Sequence, residues 1–360
     1  MQGGRIRLES GRRRLLGWGS AYPGLALTSA ALCARMEEVF GLKAIRRGRI
    51  IAAKLGVETR HVCRDFEQAH EMPRATARNP ELAALAMQHA LNRAGLAPNS
   101  LSYLISHTAT PAMLLPGGSA EIACLIRHTG AHMELRQACT GFANALQVAF
   151  AMTQTPGAAP IGIVGVETGS VYFDPQSLHT HPEQWVNFLQ MGDGAAAVVI
   201  GPDEVGASGP FLTSAFFGQC QHAPEAGLCL KTGGSDAASV SAGTLHFEHH
   251  YDGVRKHGMA LLELAREALR SQDFDVHDAA WVVPHQASGA LAPWLAHAWQ
   301  LQADRVCAHA ASVGNLGSAS IWAALDHLMA QRETWQGNTA LFLGAEATQY
   351  SYGGFALELA

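Results

Sequence analysis

Cys139 occupies a turn between a short extended run that ends at Ala138 and an Ala-rich apolar segment, residues 141–152. The spacing of that segment predicts a buried helix, which places the sulfur at the helix N-terminus. Unpaired backbone N–H groups carry a partial positive charge there, and this favours the nucleophilic thiolate. The same groups can bind an oxyanion that forms when the sulfur attacks a thioester. Because a lone cysteine is more often a small core residue, the hypothesis depends on its predicted neighbours.

Two further polar residues lie in turns that follow predicted strands. His285 stands in Pro-His-Gln-Ala, and Asn315 in Gly-Asn-Leu-Gly-Ser-Ala-Ser. Functional side chains of α/β proteins collect beyond the carboxyl ends of strands. Taken singly, the histidine is more often a satisfied core or loop residue, and an Asn after Gly is usually selected for its backbone angles. Together with Cys139, they form a candidate catalytic group.

The elements that would position these residues repeat along the chain. Residues 91–107 and 269–285 share a helix end, a loop, a buried strand and a final His, at an offset of 178. The turns at Cys139 and Asn315 are offset by 176 and share a Gly two positions on. The repeat predicts two duplicated α/β halves, residues 1–205 and 206–360, each with a mostly parallel sheet covered by helices. Their equivalent turns would meet near a pseudo-dyad.

Composition narrows the class of protein. The chain has 360 residues, of which 48% are hydrophobic and 15% charged, with a formal net charge of −5. The charge gives no electrostatic case for nucleic-acid binding. Seven scattered cysteines without CxxC spacing indicate a reduced, cytoplasmic protein and not a disulfide framework. The apolar run after three arginines at 12–14 is broken by Pro23, so it predicts a first strand and not a signal peptide.

Local patterns add three expectations. Residues 28–40 have helical periodicity, and Asn79 is a candidate N-cap for a helix that Gly95 ends. Residues 218–251, rich in Gly, Ser and His, fit neither half and predict a surface excursion. The excursion contains the histidines 246, 249 and 250 and Glu248, whose spacing is not that of a standard metal site. We therefore expect solvated loop histidines and no metal.

Several motifs resemble those of the thiolase-fold condensing enzymes, most of all β-ketoacyl-acyl-carrier-protein synthase III. They are Leu-Gly-Val-Glu-Thr-Arg-His at 55–61, Ala-Cys-Thr-Gly-Phe at 138–142, Gly-Asp-Gly-Ala at 192–195, His-Gln-Ala at 285–287, and Gly-Asn at 314–315 with Ser-Ala-Ser at 318–320. The resemblance covers almost the whole chain. It implies a layered αβαβα fold, a homodimer, an acyl carrier protein as partner and no cofactor beyond acyl thioesters.

The resemblance also implies roles for the three candidate residues. Cys139 takes an acyl group from a thioester. His285 and Asn315 then donate hydrogen bonds to the thioester oxygen of a malonyl-type group as CO₂ leaves and an enolate forms. The carbanion attacks the acyl-Cys139 carbonyl and gives a β-ketoacyl product. The pathway would be fatty-acid-like or secondary-metabolite biosynthesis, of polyketide or quinolone type.

The chain departs from the family pattern around the substrate entrance. Ile50 stands where relatives stack a Trp on the adenine of coenzyme A, and Lys54 replaces a nearby Arg. These changes favour donors other than acetyl-CoA. Met191 replaces a gating Phe, and Met191 and Phe142 are expected to line the substrate tunnel or gate.

Two further positions relate to the oxyanion site and to the partner. The family's C-terminal Gly-Gly-Gly-Phe loop, a source of the second oxyanion N–H, is replaced by residues 344–350, so that donor is not assigned. Arg255 and Lys256 lie near the basic patch on which relatives dock the carrier protein.

Two alternative functions remain open. One is an acyltransferase of the same fold that moves the acyl group from Cys139 to a hydroxyl or amine without decarboxylation. The retained Asn315 counts against it, because such relatives often alter that position. The other is a non-catalytic partner subunit of a heterodimeric synthase. Such subunits typically lose the nucleophile, which this chain keeps.

Overall fold

A computed structural model describes residues 3–42, 45–66, 77–173, 175–220, 226–230 and 247–359. The strands in these ranges are β1 (Gly3–Leu8), β2 (Arg13–Ala21), β3 (Leu27–Thr28), β4 (Thr59–Arg60), β5 (Tyr103–His107), β6 (Ala131–Leu135), β7 (Ile161–Glu167), β8 (Gly194–Pro202), β9 (Pro210–Cys220), β10 (Leu228–Leu230), β11 (Phe247–His249), β12 (Trp281–Pro284), β13 (Thr339–Glu346) and β14 (Ser351–Leu359).

The α-helices in the same ranges are α1 (Ser29–Phe40), α2 (Ile45–Leu55), α3 (Asn79–Ala94), α4 (Gly118–Ile126), α5 (Gly141–Met152), α6 (Gly169–Tyr172), α7 (Trp185–Gln190), α8 (Tyr251–Arg270), α9 (Leu291–Ala298), α10 (Ala310–Val313) and α11 (Ser320–Met329). Short 3₁₀ turns connect several of them. None of these helices is long and apolar enough to cross a membrane.

Ten of the described strands form one mixed sheet. Its order is β12-β13-β14-β9-β2-β8-β7-β5-β6, with β1 paired to β9. Only the pairs β5–β6, β5–β7 and β12–β13 are parallel, and the other pairs are antiparallel. The expectation of mostly parallel sheets was therefore wrong. The connections explain the difference, since the four residues between β13 and β14 are too few for the crossover that a parallel pair needs.

The strand order repeats on the two sides of the sheet. From its centre outward, one side reads β2, β8, β7, β5, β6 and the other β9, β14, β13, β12. A parallel bridge between Val282 and Val306 stands where the second series would have its last strand. The two sides join through β2 and β9, which pair at only Arg13↔Leu212 and Arg14↔Phe211. The exact domain limits, 1–205 and 206–360, remain a prediction.

Helices cover the sheet in layers, giving the αβαβα arrangement. Helix α3 packs on β2, β7 and β8, and α8 packs on β13 and β14. Between them lie α5, which contacts β5, β7, β9 and β14, and α11, which contacts β2, β7, β8 and β12. The central helices are apolar on almost all sides, because strands from both series bury them. The Cys139 turn precedes α5, and the Asn315 turn precedes α11.

The central layer has Trp322 of α11 at its core. The side chain is fully buried. Its ring packs edge-on against Phe142 and stacks on Phe355, with centroid distances of 5.7 and 5.6 Å. The indole Nε1–H donates to Nε2 of His107 over 3.3 Å. This indole therefore fixes α11 against α5 and β14 at once.

Two local expectations need correction. The N-cap of α3 is Arg78, and Asn79 is the first helical residue. The amide of Asn79 instead donates to the carbonyl of Thr110 over 2.9 Å, because its side chain is buried under the loop after β5. Gly95 ends the helix with φ 67°, as its position predicts.

The described parts of 218–251 are also more ordered than a solvated excursion. Strands β10 and β11 pair antiparallel there. Nδ1 of His249 lies 2.8 Å from Oδ1 of Asn187, and burial lowers the pKa of His249 to about 4. His249 is therefore not a solvated loop side chain, contrary to the expectation. His246 lies outside the described residues.

We expect Trp322→Ala to reduce the free energy of unfolding by about 3–5 kcal/mol, because it empties the central layer. Chemical denaturation followed by circular dichroism measures the change. Trp294→Ala is the matched control, since that side chain is 50% exposed on α9. Equal losses in the two variants would contradict the central role of Trp322.

Candidate active site

The Cys139 turn lies between the two halves of the sheet. Strand β6 ends at Leu135, and α5 begins at Gly141 with Thr140 as its N-cap. Cys139 as a whole residue is partly exposed, while Ala138 and Thr140 beside it are buried. Glycine is required at 141, because a Cβ there would come within 2.6 Å of the His107 ring. The local sequence thus presents one sulfur at a buried helix end.

The N–H groups of this helix end are already engaged. The N–H of Thr140 donates to Glu346 over 2.8 Å, and that of Gly141 donates to the carbonyl of Ala138 over 3.0 Å. They are therefore not available to an oxyanion as the sequence suggested. The backbone N–H of Cys139 itself interacts with the sulfur and is a candidate donor on this turn.

The thiol is held in its protonated form. Burial, followed by the charges of Glu346 and Glu167, raises the pKa of Cys139 well above its ordinary value. This direction is opposite to the one that the helix end alone predicts. Desolvation disfavours the charged sulfur, and nearby carboxylates repel it.

His285 directly follows β12, and its backbone N–H donates to the carbonyl of Leu343 on β13 over 2.6 Å. The side chain is buried, and burial lowers its pKa to about 4. Nδ1 has no hydrogen-bond partner among the described residues. The imidazole is therefore neutral at physiological pH, as a donor to a developing enolate requires.

The amide of Asn315 has a fixed orientation. Its Oδ1 accepts hydrogen bonds from the N–H of Gly317 over 2.9 Å and from the hydroxyl of Ser320 over 3.3 Å. The oxygen is thereby occupied, and Nδ2 is left as the donor that can face a substrate. Asn315 follows α10 and not a strand, so the prediction that a strand ends just before Asn315 was wrong. The bridge at Val306 is what remains of that strand.

Hydrogen bonds connect the three turns. The Asn315 N–H donates to the carbonyl of Gln190 over 2.8 Å, and Nε2 of Gln190 donates to the carbonyl of Ala287, two residues after His285, over 2.6 Å. On the other side, the hydroxyl oxygen of Ser318 lies 3.2 Å from the carbonyl oxygen of Gln137, two residues before Cys139. The structure thus brings the Cys139, His285 and Asn315 turns together.

The Gly-Asp-Gly motif supports the same arrangement. A Cβ on Gly192 would meet the carbonyl of Val313 at 2.0 Å, so only glycine lets this loop reach the Asn315 turn. Asp193 is fully buried and accepts from the N–H groups of Cys63 and Ser170 over 2.6 and 3.0 Å. The carboxylate thereby fixes the loop that carries Met191.

The structure separates the two expected tunnel residues. Met191 pairs through its backbone with Asn315 and lines a small, largely apolar cavity with Leu32, Val62, Arg64, Phe66, Ser170, Phe173 and Phe188. Phe142 is fully buried against Trp322 and Phe355. Its ring belongs to the core between α5 and α11, because α5 turns that face towards β14. The placement is that of a packing residue and not of a gate.

Other expected site residues lie on outer helices. Ile50 and Lys54 are exposed on α2, which packs against α7. Arg255 and Lys256 fall within α8, but their side chains lie outside the described part of the chain. The docking role of this pair remains a prediction.

A segment in each half of the chain matches a known protein family. Residues 133–217 match the family described as 3-oxoacyl-(acyl-carrier-protein) synthase III, and residues 269–359 match its C-terminal region. The chain therefore belongs to the synthase III-type condensing enzymes. Two curated relatives are β-ketoacyl-(acyl-carrier-protein) synthase III of Rhizorhabdus wittichii, 27% identical over 317 residues, and of Sphingopyxis alaskensis, 28% identical over 318 residues. Each alignment covers 88% of this chain and 89% of the relative.

Solved structures agree on the fold. A protein described as the tetronic acid condensing enzyme AbyA1 superposes with a TM-score of 0.82 at 24% identity, covering 96% of this chain and 99% of that one. Synthase III of Pseudomonas aeruginosa superposes with a TM-score of 0.76 at 23% identity, covering 97% and 98%. These likenesses place the synthase III-type chain in the thiolase-like fold.

The sequence analysis missed two residues of the site, Glu167 and Glu346. Both are about 1% exposed, and both adjoin the turns described above. Each is the last residue of a buried strand, β7 or β13, and their separation of 179 positions matches the internal repeat. Extending the repeat to acidic residues at strand ends would have found them.

We expect the rate at which iodoacetamide alkylates Cys139 to keep rising with pH beyond 9, without a plateau near neutrality. The reason is that the thiolate reacts, and the raised pKa keeps its population small below that pH. Mass spectrometry of the modified peptide gives the rate, with Cys139→Ser as the control for other cysteines. A plateau below pH 8 would show that the helix end outweighs the two carboxylates.

Proposed function

We propose that this synthase III-type chain catalyses a decarboxylative Claisen condensation between an acyl group on Cys139 and a malonyl-type thioester on an acyl carrier protein. The proposal is carried by the fixed amide of Asn315 and the neutral imidazole of His285, on turns that are linked through Gln190, together with the contact of Ser318 with the Cys139 turn. The products would enter fatty-acid-like or secondary-metabolite synthesis.

The first half-reaction loads the enzyme. The thiol of Cys139 loses its proton as the sulfur attacks the acyl carbonyl, and the carrier thiol leaves with a proton. The backbone N–H of Cys139 and one from residues 347–349 are the proposed donors to the tetrahedral oxyanion. Because the resting thiol is protonated, charge builds on sulfur only when an electrophile is in place.

The second half-reaction forms the carbon–carbon bond. The malonyl-type thioester loses CO₂, and the electron pair of the broken bond becomes an enolate whose oxygen accepts hydrogen bonds from His285 and Asn315. The carbanion attacks the acyl carbonyl, and the Cys139 thiolate leaves and is reprotonated. Neutral donors suit this step, because the enolate is stabilised without transfer of a full charge.

We also propose a preferred class of acyl donor and an oligomeric state. Ile50 is exposed and offers no aromatic face to an adenine, so carrier-bound acyl donors are preferred over acetyl-CoA. Acyl groups trapped on Cys139 from a panel of both donor types, identified by intact mass, test this preference.

A homodimer is proposed from the low charged fraction of the chain. Light scattering at micromolar concentration tests it, and a monomeric mass would count against it.

Substitutions should separate the two half-reactions. We expect Cys139→Ala to lose condensation and acyl loading but to keep part of the CO₂ release from a malonyl thioester, because the enolate donors remain. His285→Ala and Asn315→Ala should still load acyl groups and should lose CO₂ release by on the order of 10²–10³-fold, as for one oxyanion donor removed. Intact mass and released ¹⁴CO₂ report the two steps.

The opposite outcome would favour the acyltransferase alternative. If the wild type releases no CO₂ from malonyl or methylmalonyl thioesters but moves acyl groups to an alcohol or amine, the condensing proposal fails. His285 would then be the general base for the acceptor. A wild type that never acquires an acyl group would instead support a non-catalytic partner subunit.

A further inference from the structure

Two buried carboxylates occupy equivalent places in the two halves. Glu167 ends β7 and Glu346 ends β13, and these strands hold the same position in the repeated strand order. Burying a carboxylate is costly unless donors surround it. The hydrogen-bond donors around each carboxylate therefore show which turn that carboxylate fixes in place.

Glu346 holds the nucleophile turn. Its Oε2 accepts from the N–H of Thr140 over 2.8 Å and from the Thr140 hydroxyl over 2.6 Å. Its Oε1 accepts from the hydroxyl of Thr348, in the loop where the second oxyanion donor is expected. Thr140 directly follows Cys139. One side chain from the second half thus fixes both the sulfur-bearing turn and the loop facing it.

Glu167 holds the turn that carries Asn315. Its Oε1 accepts from the N–H of Ser318 over 3.2 Å and from the Ser318 hydroxyl, and from the N–H of Ala109 over 3.0 Å. Ser318 is three residues after Asn315. Thr110 donates its hydroxyl to the other carboxylate oxygen. Here a side chain from the first half fixes a turn of the second.

A chain of hydrogen bonds leads from Asn144 to Glu346, and every donor in it points towards the carboxylate. Nδ2 of Asn144 donates to Oε1 of Gln137 over 2.7 Å, Nε2 of Gln137 donates to the Thr140 hydroxyl over 2.9 Å, and that hydroxyl donates to Glu346. Every contact described for Glu346 is a donor, so an ionised carboxylate is the form that fits. An amide in its place would set an NH₂ group against at least one donor.

We propose, on the basis of the proposed function, that Glu346 and Glu167 are reciprocal positioning residues, each aligning the reactive turn of the opposite half for a different half-reaction. Glu346 aligns the Cys139 turn for acyl loading. Glu167 aligns the Asn315 turn for decarboxylation. This exchange couples the two halves, because each reactive turn is bonded to a carboxylate of the other half.

The test compares Glu346→Gln with Glu167→Gln. The exposed Glu333→Gln is the control. Acyl loading is measured by intact mass, and CO₂ release from malonyl thioester is measured in a Cys139→Ala background. We expect Glu346→Gln to slow loading by on the order of 10²-fold, as a misplaced reacting group does, and to slow loading at least tenfold more than CO₂ release. Glu167→Gln should show the reverse ratio.

A third measurement does not depend on the substrates. The pH profile of Cys139 alkylation should move to lower pH in Glu346→Gln, because a negative charge near the sulfur is removed. A merely structural loss would not shift the profile in this direction. If Glu346→Gln does not fold, Thr140→Val removes one donor and leaves the carboxylate, and Ser318→Ala does the same for Glu167.

Equal slowing of both steps by both variants, or an alkylation profile that does not move, would overturn the proposal. Failure of the proposed function has a different signature. A wild type that neither loads acyl groups nor releases CO₂ would refute condensation, whereas the alkylation profile of Glu346→Gln would still report whether that carboxylate controls the nucleophile turn.

Discussion

The site depends on the burial of two carboxylates between the halves of the sheet. A buried carboxylate must be surrounded by donors, and the donors to Glu346 and Glu167 include Thr140, the N-cap of α5, and Ser318, two residues before α11. Each helix end is therefore bonded to a strand of the other half. This constraint keeps the two central helices in register even though β2 and β9 share only two residue pairs.

The same carboxylates shape the chemistry of the sulfur. A helix N-terminus favours a thiolate, but the N–H groups of Thr140 and Gly141 are engaged and two negative charges lie nearby. Cys139 is therefore protonated at rest, which protects it from adventitious electrophiles. Burial likewise keeps His285 neutral, as the proposed enolate step requires.

Met191, which pairs through its backbone with Asn315, belongs to an apolar lining. Met191 lines a small cavity with side chains such as Leu32, Phe173 and Phe188, and its loop is fixed by Asp193. Methionine adapts to irregular shapes better than an aromatic ring does. The loop beside the Asn315 turn thus combines a fixed backbone with an adaptable apolar side chain.

The sequence by itself determined the internal repeat and the identity of Cys139, His285 and Asn315 as candidates, and its resemblance to a known family implied the αβαβα class. The repeat and the candidates rest on periodicity, on turn glycines and on motif spacing, all of which can be read along the chain. Only the tertiary structure decided the protonation of Cys139, the core location of Phe142 and the exchange of Glu167 and Glu346 between halves. Desolvation and hydrogen bonding between residues some 150–200 positions apart set these properties, and no local pattern encodes such contacts.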